Sequence, residues 1–230
     1  MASVLRKIQK TKMKAKINNW RECSINNYIE IRDIMSDETL SDYEKEVKTI
    51  AVICDVDEDE IWNLSINEFR DLQVGKLWIG DFKIDTNKHF RKIKLNDTEY
   101  EVDIDLQNMT VAQYIDFQTF WAQRDDITKI GNLLAVFVIP KGCKYNEGYD
   151  IKKTIDDIMD YMDIMTANEI VFFFLSSYAA LTRVMLHYLT SKMKRMAKRK
   201  KMDQDRMMEL QKQVDQLEKA ILDGFHSLSK

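Results

Sequence analysis

Behind Ser24, the residues Tyr28, Ile31 and Met35 recur at three- and four-residue steps, the spacing that sets side chains along one face of a helix. A second helix is predicted behind Ser41. Glu44 stands three residues on, as in a capping box, and Tyr43, Val47, Ile50 and Ala51 form the apolar stripe, which ends near Val52 to Asp55. Asp57 opens a short helix (DEDEIWNL) with acids in its first turn, where the helix dipole favours them. Ser65 with Glu68 caps the next, and Phe69, Leu72, Leu77 and Trp78 fall on one side of it. Residues 18–82 therefore read as three or four short helices joined by tight caps.

The period then falls to two. Residues 90–94 (FRKIK) and 100–104 (YEVDI) alternate around Asn96 and Asp97, which predicts a hairpin. A lone hairpin is marginal in water, so it is expected to pack on the helices. Thr110 with Gln113 caps a further helix carrying Val111, Tyr114, Ile115, Phe117 and Phe120. Residues 127–139 hold the apolar run LLAVFVI, read as a helix that stops at Pro140, and 141–149 (KGCKYNEGY) form the clearest loop. Residues 151–162 suit an amphipathic acidic helix, and Thr166 with Glu169 suits the cap of a long final one. Past Leu189 the basic run KMKRMAKRKK contains Lys192, Lys194, Arg195, Lys198, Arg199, Lys200 and Lys201. Met207, Leu210, Val214, Leu217 and Ile221 then follow at 3-4-3-4 spacing, the a/d seam of a short coiled coil. The expected fold class is mainly α: a compact helical core over 21–189 with one small β-hairpin, a basic N-terminal arm over 1–20, and a basic, heptad-patterned C-terminal helix over 190–230 that ends in the coiled coil.

Composition supports this. One proline and six glycines in 230 residues suit helices better than a turn-rich β sandwich, and 45 % apolar residues are enough for a core. The net charge of −3 selects no partner. Cys23, Cys54 and Cys143 are odd in number and widely spaced, a poor disulfide framework, so a reducing compartment is expected. The first 16 residues carry Arg6, Lys7, Lys10, Lys12, Lys14 and Lys16 with no apolar stretch behind them, so no signal peptide is expected. The apolar part of 170–189 falls short of the roughly 20 residues that span a bilayer, and Arg183 and His187 interrupt it. A soluble, intracellular chain with no membrane partner is the reading.

His89, His187 and His226 are isolated and no Cys-x-x-Cys pair occurs, so no zinc site is expected. The run from Asp55 resembles the start of a calcium loop, but Glu60 stands where glycine is required and Ile66 where a bidentate glutamate is required. No phosphate cradle or nucleophile elbow is present. The chain is read as not an enzyme, with no catalytic residue, metal or cofactor. Two features point to binding. The basic run reads as an electrostatic patch or as a solvated helical connector, and without interleaved aromatics or a nucleic-acid module the connector, or an acidic protein segment such as 147–163 as partner, is favoured over nucleic acid. The seam from Met207 to Ile221 needs an apolar partner, so a homo-oligomer through the C-terminal helix, or docking on the core, is expected.

The order of segments resembles one known family. YEKEVKTIAVICDVDEDEIWNLSINEFRDL, YEVDIDLQNMTVAQYIDFQTF, LLAVFVIPKGCKYNEGYD and the late FFFLSSYAAL are together similar to the tail assembly chaperones of tailed bacteriophages, over residues 24–189. The resemblance implies a protein that binds the tape-measure protein in the host cytoplasm during assembly and keeps its long apolar helices from aggregating. The segment past Leu189 departs from the family pattern. Thirteen methionines, with Met193, Met196, Met202, Met207 and Met208 close together, would give adaptable contact surface. The competing readings are a structural virion component, such as a connector or tail protein, and a nucleic-acid-associated protein using the basic segments.

Overall fold

Ser24 turns an extended stretch into helix α1 (Ile25–Ser36) when its hydroxyl accepts the N–H of Asn27. The computed structural model describes residues 13–80, 82, 83, 85, 88, 90–104, 109–123, 126–198, 208, 209 and 212. The chain divides into two compact units. The first comprises residues 1–84 with 156–167, and the second 85–155 with 168–230.

In the first unit, α1 is followed by α2 (Asp42–Cys54), α3 (Glu58–Trp62), α4 (Ile66–Gly75) and a 3-10 turn (Leu77–Gly80). Both expected capping boxes are formed, Ser41 with Glu44 and Ser65 with Glu68. Asp55 ends α2 in the left-handed region at φ 53°, and its N–H returns to the carbonyl of Val52. Val47, Ile50, Ala51, Cys54, Ile61 and Phe69 close the core between α2, α3 and α4. Glu46 of α2 accepts from Gln73 and, at 2.8 Å, from Lys76, which ties α2 to the end of α4. The stripe predicted for α4 stops early, because the helix ends at Gly75 and Leu77 is exposed. Met35 is likewise exposed, and it is Ile25 and Ile31 that face inward on α1.

The last residues of the basic arm belong to this unit. The N–H groups of Lys16 and Ile17 both donate to the carbonyl of Ile53, and Ile17 and Trp20 are buried. Trp20 meets Tyr28, Trp78 and Phe82 edge to face at 5.6, 4.8 and 5.3 Å between centroids. Residues 156–167 join through two backbone bonds, Ile25 N–H to Met162 and Ile164 N–H to Cys23. The long helix α8 (Ile164–Lys198) starts here. Its cap corrects the sequence reading. The Asp163 carboxylate accepts both the N–H and the hydroxyl of Thr166, at 2.8 and 2.6 Å. An acid one residue ahead of the helix outcompetes a threonine inside its first turn, because it carries full charge at the positive end of the dipole.

Cys23 and Cys54 are buried and free of disulfides, while Cys143 is partly exposed. Burial, with the Asp163 carboxylate nearby, pushes the Cys23 thiol up to about 12, and burial also raises Cys54. The thiolate is the reactive form. Cys143 is therefore expected to react first with a disulfide reagent such as DTNB at neutral pH, and the other two only on unfolding. Three equally fast thiols in the native protein would contradict the burial.

In the second unit, β1 (Lys92–Leu95) and β2 (Thr98–Val102) form the expected hairpin, with Asn96 at φ 50° in its turn. The hairpin is not alone. β3 (Val138–Pro140) pairs antiparallel with β2, Val102 opposite Val138, to give a three-stranded sheet in the order β1-β2-β3. The predicted helix over 127–139 is therefore shorter. A 3-10 turn (Ile127–Lys129) leads into α6 (Ile130–Ala135), after which the chain straightens. Pro140 disfavours helical backbone at the residue before it, Val136, Val138 and Ile139 are β-branched, and β2 has a free edge to be paired. The edge strand tolerates the proline, which needs no ladder donor there. Helix α5 (Val111–Trp121) carries the expected Thr110–Gln113 box. Helix α7 (Ile151–Tyr161) follows the glycine loop, and its residues from 156 onward belong to the first unit. Glu169, expected to cap with Thr166, is instead buried at 1 % exposure and accepts the N–H of Asp85.

Candidate protein-binding surface

Helix α5 is apolar on two sides. Phe117 points inward to an aromatic cluster with Phe137 at 5.9 Å, Phe174 at 4.7 Å and Tyr178 at 5.8 Å. Gln113 is buried and donates its amide to the carbonyl of Val136, just ahead of β3. These contacts fix the helix against α6, β3 and α8. Its other side carries Val111 and Ile115, which remain 76 and 56 % exposed, and Tyr114, 48 % exposed, stands at the edge of that face with its hydroxyl hydrogen-bonded to Tyr178. A helix with a second apolar face beyond the one its own fold buries has that face covered only when something else supplies the cover.

The edge of that face is pinned by a charge-assisted bond. The Tyr145 hydroxyl donates to the Asp116 carboxylate at 2.6 Å. The loop that presents Tyr145 turns at Gly142 (φ 81°), Asn146 (φ 57°) and Gly148 (φ 79°), a left-handed set that favours glycine and asparagine. Burial first, and then the bond to Asp116, hold the Tyr145 phenol well above its ordinary value. Sequence reading treated the segments of Asp116 and Tyr145 separately and missed their meeting. The available signal was an aspartate inside an apolar helix next to a buried Phe117.

Tyr145→Phe is expected to lower the stability of the second unit by about 1–2 kcal/mol near neutral pH, because a hydrogen bond to a charged group is lost. The phenol's raised value in the fold adds stability that is complete below the unfolded tyrosine value near 10 and is lost as pH rises beyond it. The variant should lose that alkaline component, and urea titrations at neutral pH and above pH 10 read both effects.

The sequence-derived sites divide as follows. Lys192 and Arg195 are exposed on α8, and the Lys192 ammonium lies 6.0 Å from the ring of Tyr188, itself exposed one turn back. Lys194 and Lys198 are in the same helix. Arg199, Lys200, Lys201 and the whole seam (Met207, Leu210, Val214, Leu217, Ile221) lie outside the described residues. The acidic run from Asp55 lines an open cleft with Glu30 and Lys48, and its carboxylates at Asp55 and Glu58 are held by Lys16 and Lys48. Among the described residues no group of histidine, cysteine, aspartate and glutamate is arranged to hold a metal ion, and no helix is long and apolar enough to cross a membrane.

No family model matches this chain, and neither a curated protein nor a solved structure does.

Proposed function

We propose that this chain is a non-catalytic tail assembly chaperone, which binds the tape-measure protein in the host cytoplasm and keeps it from aggregating while the tail is built. The observation that carries the reading is the exposed Val111–Tyr114–Ile115 face of α5, on a helix whose opposite side is locked by Phe117 and Gln113. Such a face withdraws water from an apolar client helix without asking the chaperone to unfold. The segment bearing it, with Tyr114-Ile115-Asp116 at its centre, is among those that resemble the chaperone family.

Co-expression with the tape-measure protein of the same virus tests this. The wild-type chain is expected to keep the tape measure in the soluble fraction and to copurify with it. Ile115→Glu, an exposed site, should leave the chaperone folded by circular dichroism and send most of the client to the pellet. A tape measure equally soluble with and without the chain would overturn the reading. Mass spectrometry of mature virions separates this reading from the structural alternative, since a transient chaperone is expected to be missing from them and abundant copies would make the chain a tail component.

A further inference from the structure

The first unit holds a hollow of its own, with an aromatic and aliphatic wall and a polar side formed by Arg70 and Gln73. Tyr43 of α2, Trp62 of α3 and Ile66 and Phe69 of α4 enclose about 320 Å³. Phe69 is its buried floor, and the ring of Tyr43 lies 5.5 Å from both Trp62 and Phe69. Tyr43, Trp62 and Ile66 are each at least half exposed, although the core beneath is already closed by Val47, Ile50 and Ile61. Folding of this unit therefore leaves their exposure unexplained. Arg70 stands at the rim, exposed, with no hydrogen bond or ion pair to any described residue, and is the one charged side chain among those lining the hollow.

Tryptophan, tyrosine and arginine are the residue types that dominate binding energetics when they surround a desolvated pocket. Charge complementarity selects the occupant. Apolar side chains one helical turn apart fill the hollow, and a carboxylate beside them meets the unpaired guanidinium in a bidentate pair. The geometry points to a second client site on the first unit: the Tyr43–Trp62–Ile66 hollow seats an apolar helical segment of the tape-measure protein that carries an aspartate or glutamate next to Arg70. This rests on the chaperone reading for the source of the segment, and it is separate from the α5 face.

Overlapping synthetic peptides covering the tape-measure protein, titrated against the full-length chain by fluorescence anisotropy, supply the test. A subset with paired apolar residues and a neighbouring acid is expected to bind. Trp62→Ala should weaken that subset about tenfold or more. Arg70→Glu, a change at an exposed and unpaired site, should weaken it about as much at low salt and less at high salt, and a peptide with lysine in place of its acid should recover binding to the Arg70→Glu chain. If peptides bind the wild type and both variants equally, this site is wrong and the chaperone reading stands. If no peptide binds the wild type, the chaperone reading falls and takes this inference with it. A chain that dimerises in the absence of peptide, and loses the dimer on Trp62→Ala, would make a second copy the occupant and overturn the assignment to the client.

Discussion

Phe174→Ala is expected to destabilise the second unit by about 3–5 kcal/mol, the range for removing a buried aromatic ring. Phe174 is 2 % exposed and stands at the centre of the cluster, with ring centroids of Phe137, Phe117 and Tyr178 at 4.1, 4.7 and 6.2 Å. Truncation removes its own burial and strips each neighbour of a contact face, and each aromatic pair adds about 0.5–1.5 kcal/mol beyond area. The same ring helps hold α5 through Phe117, so the loss should also loosen the base of the exposed Val111–Tyr114–Ile115 face. Urea unfolding followed by Trp121, which stacks on Phe117 at 5.9 Å, reports this unit once Trp20, Trp62 and Trp78 are replaced by phenylalanine in both the reference chain and the variant. Phe174→Leu should cost less, since much of the volume remains. A loss below about 1 kcal/mol for the alanine variant would mean that the cluster collapses onto the gap and does not hold α5 rigidly.

Ile50→Ala should cost the first unit about 2–5 kcal/mol. Ile50 is 1 % exposed in the cluster that α2 shares with Ile61 of α3 and Phe69 of α4. By comparison, removing the Ser41 cap of the same helix should cost only about 1 kcal/mol. Packing therefore outweighs capping in holding these short helices, and helices of five to thirteen residues such as these are too short to persist alone in water. Fluorescence of Trp20, Trp62 and Trp78 follows the transition. Equal effects from Ile50→Ala and Ser41→Ala would contradict the primacy of the core.

The short helices were readable because their signals are local. A capping box needs only two residues three apart, and Ser41–Glu44, Ser65–Glu68 and Thr110–Gln113 all form as their spacing requires. The hairpin turn at Asn96 was equally local. The errors came where a distant partner decided the outcome. LLAVFVI is apolar enough for helix or strand, and its second half became β3 because β2 lay open beside it. Glu169 was drawn into the interior by the N–H of Asp85, 84 residues away, whereas the Asp163 cap that replaced Thr166 lies only three residues from it and was a local signal read at the wrong residue.

The binding surfaces divide the same way. By itself the sequence determined a mainly helical chain with apolar residues at Val111, Tyr114, Ile115, Tyr43, Trp62 and Ile66, and without the spaced ligands or nucleophile motifs of a recognisable active site. Only the tertiary structure decided which apolar residues were left over. Phe117 and Ile115 are both apolar letters in one helix, yet one is buried against Phe174 and the other is left exposed. Periodicity records that a helix has an apolar side, whereas packing decides which side the fold consumes and which remains for a partner.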